Sequence, residues 1–295
     1  MGDGAMSHTT QYTIFGSLIF GVAIMDAVGS LLGFWSESGV RGQVLLGPKG
    51  LVLVGLVLLS FSTKYWVYQR TSNPRHRMVA RLSVASILLC MGGDIVNANV
   101  ANSFYRYGGS VKHDYLAESV IFFGPGYFLL LVTGILIALD TTVKGWVMYS
   151  VLLIGALFGV VSLMSMHLPG TGVFVTAMTV GYAALIGAVA LFGCVVVHSM
   201  GGMQASLGVW LVGLGFVLAG VADAVIGAFW IYGNGGEGFY PTVRQVNWIL
   251  YVGSQCLVIY LPYAYTSRTA FLADEGRGHS RKGNRCGRSA RDSQK

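Results

Sequence analysis

The sequence predicts an all-α polytopic membrane protein with eight transmembrane helices. Mean hydropathy is +0.64 and 11% of the residues are charged, whereas soluble domains carry about 25%. Eight apolar runs each have the length of about 20 residues that crosses a bilayer core. Three of the 12 acidic residues, Asp26, Asp94 and Asp223, fall inside these runs. An ionised carboxylate in hydrocarbon costs about 3 kcal/mol or more, so the helices are expected to enclose a polar site.

The apolar runs place the eight predicted helices along the chain. In order, they are Tyr12–Trp35, Lys49–Tyr68, Met78–Ala101, Leu116–Leu139, Gly145–Met166, Thr171–His198, Leu207–Tyr232 and Val246–Tyr265. The first run is longer than the apolar part of a signal peptide and no basic segment precedes it, so it is expected to be retained. Pro48 stands just before the second helix, where proline is common. A Pro-Gly turn separates the fifth and sixth helices.

The basic residues predict the orientation of these helices. With the N-terminus in the cytoplasm, 14 of the 19 Lys and Arg residues fall on the cytoplasmic side. This bias follows the positive-inside rule and predicts an even number of spans with both termini cytoplasmic. Residues 1–272 are then one transmembrane domain, and residues 273–295 are a basic cytoplasmic tail, disordered because it is too polar to bury a core. The net charge of +7 thus indicates contact with anionic lipid rather than nucleic acid.

The predicted topology places several polar residues at one depth. The first, third and seventh helices all run outward, and Asp26, Asp94 and Asp223 each lie in the outer half of their helix. Lys49 opens the second helix from the same side, and Tyr251 lies in the outer part of the eighth. Scattered structural residues would not be expected to share a depth, so these side chains are predicted to converge.

A short internal similarity suggests a repeat. The segments 92–109 and 221–236 each contain an aspartate, then aromatic residues, then a glycine-rich stretch. The two aspartates lie four helices apart, and four crossings preserve orientation. One interpretation is therefore a parallel repeat of two four-helix halves, an architecture found in membrane transporters. The other is a chance similarity, because the matching segment is short.

Asp94 and Asp223 are the candidate catalytic residues. Two carboxyl groups facing one cavity can divide acid and base roles, one donating a proton while the other is ionised. The alternative is that both are structural and hydrogen-bond to neighbouring helices. Asn or Ser would do this at lower cost, so the functional interpretation is favoured.

Five further residues are candidate substrate-binding residues. Lys49 could pair with Asp26 or bind a phosphate, or it could be an interfacial lysine whose charged end reaches water. Tyr182 and Tyr251 can supply hydroxyl groups to the cavity. Gln255 lies inside the eighth helix, where its amide requires polar partners.

Other kinds of site are not indicated. The four cysteines have no CxxC spacing and the six histidines form no metal-binding motif, so neither a metal nor another cofactor is expected. The last two helices contain no lysine for a retinal Schiff base of the opsin type. There is no GxSxG element and no phosphate-binding P-loop. The sequence specifies no oligomeric state.

Together these motifs resemble the YhhN-type lysoplasmalogenase family of eight-helix integral membrane proteins. The resemblance runs from about residue 26 to residue 260. It rests on Lys49-Gly50, Gly92-Gly93-Asp94, Ala222-Asp223 followed by Phe229, and the Tyr251–Gln255 element. The chain departs from the family where Gly50 replaces proline and Ala222 replaces serine. Of the pattern in the fourth helix, Gly124 and Phe128 remain, and Val132 or a neighbour replaces its histidine.

The resemblance implies hydrolysis of the vinyl ether bond of a lysoplasmalogen, a lysophospholipid of the bilayer. It gives Asp94 and Asp223 the acid and base roles, without choosing between them. Lys49 would hold the headgroup phosphate, oriented by Asp26, and Tyr251 and Gln255 would position substrate or water. The alternative is a lipid-binding protein or proton-coupled carrier without chemistry, since intramembrane carboxylates serve such proteins equally well. Clustering of the polar residues toward the outer side favours a one-sided enzyme or binding pocket over a carrier.

Overall fold

The computed structural model describes residues 8–34, 47–98, 111–141, 143–165, 172–231 and 241–268. They form helices α1 (His8–Leu31), α2 (Pro48–Arg70), α3 (Pro74–Ala98), α4 (Val111–Leu139), α5 (Gly145–Ser165), α6 (Val173–Ser199), α7 (Leu207–Val225) and α8 (Pro241–Val258). A π-helix continues α7 over Ile226–Ile231, and a helical stretch, 261–268, follows α8 after a short turn. These ranges contain no β-strand, so the all-α prediction is confirmed.

Seven of the helices, α1 to α7, are long and apolar enough to cross a membrane. The first half of α8 is more polar and includes Arg244, Gln245 and Asn247. The chain is therefore an integral multi-pass membrane protein, as its composition predicts.

Four helices begin four or five residues earlier than predicted. They are α1 at His8, α3 at Pro74, α4 at Val111 and α8 at Pro241. The first turns of all four contain polar residues, which a hydropathy criterion omits even where the chain is helical. The predicted last helix is also interrupted at residues 259–260. The predicted tail, 273–295, lies outside the described residues, as do the aromatic and glycine-rich loops of the suggested repeat, at 99–109 and 232–236.

The helices form a closed ring with one helix outside it. Contacts run from α1 to α2, α3, α4, α6, α7 and α8 in turn, and α8 returns to α1. α5 packs on α6 outside the ring, and its buried residues are small: Gly155, Gly159 and Ser162. Small residues let membrane helices approach closely. The ring gives the bundle an interior that side chains from non-adjacent helices can share.

Glycines set the separation between α6 and α7. A Cβ atom on Gly193 would lie 2.6 Å from the carbonyl oxygen of Gly213, and one on Gly213 would lie 2.4 Å from a Val197 methyl group. Between the two helices, Gly201 and Gly202 have φ angles of 126° and 56°, which L side chains rarely adopt. Gly201 and Gly202 therefore allow the sharp turn between the helices, and Gly193 and Gly213 allow the helices to pack closely.

Aromatic residues pack together at one end of the ring. Trp66 near the end of α2 lies 4.3 Å from Tyr263, measured between ring centroids, and Tyr263 lies 4.7 Å from Tyr260 and 5.7 Å from Tyr12 of α1. We call these four residues the aromatic end. Asp26, Asp94 and Asp223 lie toward the opposite ends of their helices, which we call the carboxylate end.

Asp140, just after α4, links three parts of the chain near the aromatic end. The Tyr265 hydroxyl group donates a hydrogen bond to its carboxylate at 2.5 Å, and the Arg75 guanidinium forms a salt bridge with it. The hydrogen bond from Tyr265, together with Arg75, holds the pKa of the Asp140 carboxyl below its usual value. The carboxylate thus joins α3, α4 and the stretch 261–268.

Asp140→Asn is expected to lower the free energy of unfolding by about 1 kcal/mol at neutral pH. Because the carboxyl pKa is lower in the folded state, this stabilisation is present above the unfolded pKa of about 3.9 and is lost as the pH falls through the folded pKa. Thermal midpoints of wild type and variant, measured in one detergent, should therefore converge in acid. A difference that stayed constant between neutral pH and about pH 3 would contradict this account.

Candidate functional site

A hydrogen bond across the ring interior joins Asp94 to Tyr251. Asp94 lies in the last part of α3 and is half-buried, and Tyr251 of α8 is buried. The Tyr251 hydroxyl group donates to the Asp94 carboxylate at 2.6 Å. Helices α3 and α8 are not neighbours in the ring, so the two side chains meet in its interior. This contact brings together two residues that the sequence analysis had placed at one depth.

Asp223 has a similar arrangement with Tyr182. It lies near the end of α7, is half-buried, and accepts a hydrogen bond from the Tyr182 hydroxyl group of α6 at 3.2 Å. Asp94 and Asp223 are close enough to interact electrostatically. The structure therefore brings both candidate carboxylates, each with a tyrosine hydroxyl group, into one cluster.

Tyr127 of α4 belongs to this cluster and was not predicted. Its side chain is fully buried, and its ring lies 6.3 Å from that of Tyr182. Its hydroxyl group approaches the Asp223 carboxylate without meeting strict hydrogen-bond geometry. Phe123, one turn earlier, lies edge-on to Tyr251 with the centroids 6.1 Å apart. A phenol in the middle of an apolar helix is the signal that could have identified Tyr127, because a buried hydroxyl group requires a polar partner.

Lys49 lies beside two of the carboxylates. The helix start at Gly47-Pro48 places it in the first turn of α2, where it interacts electrostatically with Asp26 and Asp94. Its ammonium group also lies 5.7 Å from the centroid of the Trp248 ring. Lys49 therefore lies near Asp26, as pairing of the two would require.

Asp26 has a second cationic neighbour, to which the sequence analysis assigned no role. Asp26 is buried, at 3% exposure, and Arg244 of α8 interacts electrostatically with it. Two cations, Lys49 and Arg244, therefore lie near one buried carboxylate at the carboxylate end. This arrangement offers positive charge to an anion that enters from that end.

The first half of α8 adds polar atoms to this region. Gln245 Oε1, Asn247 Oδ1 and Trp248 Nε1 are buried and make no hydrogen bond within the described part of the protein. A buried polar atom without a partner costs about 1–3 kcal/mol. Gln245 lies just before the predicted start of the last helix at Val246, Asn247 and Trp248 lie in its first turn, and the sequence analysis assigned none of the three a role. They could bind a polar molecule at the carboxylate end.

Gln255 is buried, one turn beyond Tyr251, but it does not join the carboxylates. None of the hydrogen bonds among the described residues connects its amide to Asp94 or Asp223. Cys90, to which the sequence analysis assigned no role, is buried near both aspartates. Within the described ranges, no group of three His, Cys, Asp or Glu side chains could hold a metal ion.

The site and fold define a multi-pass membrane protein with titratable groups inside a helix ring. Comparisons with protein-family models, with curated proteins and with solved structures gave no match to this chain. The resemblance to the YhhN-type lysoplasmalogenase family therefore stays a prediction from the sequence.

Proposed function

We propose that this chain is an intramembrane hydrolase that cleaves the vinyl ether bond of lysoplasmalogens. The observation that carries the proposal is the pair of interior carboxylates, Asp94 and Asp223, each holding a tyrosine hydroxyl group and close enough to influence each other. Such a pair can supply a proton donor and a proton acceptor to one substrate. The sequence resemblance supplies the substrate class.

The reaction begins with proton transfer to carbon. One aspartic acid donates its proton to the β-carbon of the vinyl ether, and the double-bond electrons form the new C–H bond. The α-carbon then carries an oxocarbenium ion, stabilised by the neighbouring carboxylate and by the electron-rich faces of Tyr127 and Tyr182.

Water completes the reaction. It adds to the α-carbon and gives a proton to a carboxylate, which produces a hemiacetal. The hemiacetal C–O bond to the glycerol then breaks, and the departing oxygen takes up a proton. The products are a fatty aldehyde and a glycerophospho-headgroup, so the net reaction consumes one water molecule. Tyr251 is placed to orient the Asp94 carboxylate throughout.

The headgroup would bind at the carboxylate end. Lys49 and Arg244 supply positive charge for its phosphate, and Asp26 between them holds both side chains in position. Gln245, Asn247 and Trp248 would complete the polar contacts with the headgroup. Gln255 is proposed to position substrate or water.

The alternative is a carrier that uses the same carboxylates without chemistry. A carrier requires access to its site from both sides in turn. At the aromatic end, however, Tyr12, Trp66, Tyr260 and Tyr263 pack against one another. We expect this packing to restrict access from the aromatic end, which favours a site reached from the carboxylate end.

The number of spans and the side on which the termini lie are also proposed. We infer that α8 with the stretch 261–268 is an eighth span, because α8 packs against α1 and α7 as a member of the ring. Eight spans and the distribution of basic residues then place both termini in the cytoplasm. The parallel four-plus-four repeat stays a prediction. The first helices of the two halves, α1 and α5, have different positions, because α1 lies in the ring and α5 packs outside it.

A purified sample in detergent tests the proposal directly. Fatty aldehyde should be released from alkenyl-lysophosphoethanolamine, and none should be released from the acyl and alkyl analogues, which lack the vinyl ether. Release of fatty acid from the acyl lipid would indicate a contaminating or different hydrolase. A folded protein that released no aldehyde from any of the three would overturn the enzymatic proposal and favour lipid binding or transport.

A further inference from the structure

Three cations surround one tyrosine near the aromatic end, far from the carboxylates. Tyr68 lies in the last turn of α2. The guanidinium groups of Arg77 and Arg81 lie 4.9 Å and 5.6 Å from the centroid of its ring, and the ammonium group of Lys64 lies 5.8 Å from it. We call these four residues the Tyr68 cluster. The proposed reaction makes no use of it.

The local sequence explains why these side chains meet. Lys64 and Tyr68 are four residues apart on α2, and Arg77 and Arg81 are four residues apart on α3, so each pair shares a helix face. A three-residue turn joins the two helices, and the Asn73 side chain caps the first turn of α3 through a 2.9 Å hydrogen bond to a backbone N–H group. The two faces are therefore brought side by side where the helices leave the bilayer.

The positive charge of the cluster is not balanced within the described residues. Arg77 donates to the backbone carbonyl groups of Thr71, at 2.9 Å, and Tyr68, at 3.3 Å, and Arg81 donates to the Tyr68 hydroxyl group. These acceptors are neutral, and none of the three cations forms an ion pair with a described carboxylate. Like charges this close repel, so an anion bound among them would be stabilised. Arg75, nearby, differs because Asp140 neutralises it.

The surroundings of the cluster indicate that the anion belongs to a lipid. Phe61, Tyr65 and Met78 flank it, and their side chains are 44%, 67% and 47% exposed on the outer surface of two membrane-spanning helices. A free phosphate ion would gain nothing from this apolar surface. A phospholipid would place its headgroup among the cations and its acyl chains along the apolar side chains.

We propose that Lys64, Arg77 and Arg81 bind the phosphate of an anionic phospholipid in the leaflet at the aromatic end. Tyr68 holds the cations in place, and the acyl chains of the lipid pack along Phe61 and Met78. Lys64 and Arg81 can be replaced without disturbing the hydrogen bonds from Arg77 to the carbonyl groups at the end of α2. Each surface cation contributes about 1 kcal/mol to binding of anionic lipid, so loss of Lys64 and Arg81 should weaken binding about 30-fold.

Native mass spectrometry of the detergent-solubilised protein tests this site. Wild type, titrated with phosphatidylglycerol, should bind one molecule more tightly than it binds phosphatidylcholine. Lys64→Gln combined with Arg81→Gln should remove this preference. The control variant, Arg70→Gln combined with Lys144→Gln, also removes two positive charges from this side of the protein but lies outside the Tyr68 cluster. It should keep the preference for phosphatidylglycerol. Glycerol 3-phosphate, which has the anionic group without acyl chains, should not compete at equal concentration.

Several outcomes would overturn the proposal. Equal loss in the two double variants would mean that general surface charge attracts the lipid. Effective competition by glycerol 3-phosphate would assign the site to a soluble phosphate instead. If the double variant did not fold, the wild-type titration would still decide, because absence of a preference for phosphatidylglycerol over phosphatidylcholine would refute the site.

Discussion

Replacing Asp94 or Asp223 with asparagine is expected to lower the rate of aldehyde release by about 10²–10⁴-fold, the usual contribution of a general acid or base. Asparagine is nearly the same size and can still accept a hydrogen bond from Tyr251 or Tyr182, so the cluster should keep its shape. It cannot exchange a proton at catalytic rates. The loss should therefore appear mainly in kcat.

The matched control for these variants is Asp140→Asn. It makes the same chemical change at an aspartate near the aromatic end, outside the proposed site. Its turnover should stay close to that of wild type once the folded fraction is taken into account. If Asp94→Asn and Asp223→Asn both kept full turnover while folded, the acid–base assignment would be wrong. If Asp140→Asn lost as much activity as they did, the effect would report stability rather than chemistry.

Replacing Gly193 with leucine is expected to separate α6 from α7. A side chain at this position would begin 2.6 Å from the Gly213 carbonyl oxygen and 2.9 Å from the Phe216 Cβ atom, and backbone cannot move aside cheaply. Overpacking of this kind costs about 3 kcal/mol, which corresponds to a fall of about 5–10 °C in thermal midpoint. Because Tyr182 and Asp223 lie on these two helices, their hydrogen bond should weaken and turnover should fall as well.

Gly181→Leu is the control on the same helix. Among the described residues, no other part of the protein lies within 4 Å of a Cβ atom at the exposed Gly181, so leucine there should leave the thermal midpoint and turnover nearly unchanged. Thermal unfolding of both variants in the same detergent measures the difference. Equal midpoints for the two leucine variants would show that the glycine contact does not hold α6 and α7 together.

The sequence predicted a helical membrane protein with carboxylates toward one end of its helices. Each of the eight apolar runs falls on a helix of the described residues, and the cost of burying charge marked Asp26, Asp94 and Asp223 as members of a polar region. Lys49 was placed beside Asp26 because the predicted topology puts the start of α2 at the end of α1. These inferences needed only the length, polarity and direction of single segments, which the local sequence specifies.

Other residues of the candidate site could not be predicted from the polarity and direction of single segments. Tyr127 and Cys90 lie in helices that are apolar around most of their circumference, so no stripe of residues marks the side that faces the ring interior. Arg244 and Gln245 lie in a polar turn that hydropathy had excluded from the last helix. Gln255 is buried and makes no hydrogen bond with either carboxylate among the described residues, and its predicted contact with substrate or water stays a prediction.

By itself, the sequence determined that this chain is a helical membrane protein with carboxylates gathered toward one end. That much follows because hydrocarbon thickness and desolvation act on each helix separately. The tertiary structure decided that Tyr251 reaches Asp94 across the ring, that Tyr182 is the partner of Asp223, and that α5 lies outside the ring. These pairings depend on how helices distant in sequence fit together. In an apolar solvent that fit is set by small residues and interhelical hydrogen bonds rather than by hydrophobic patterning.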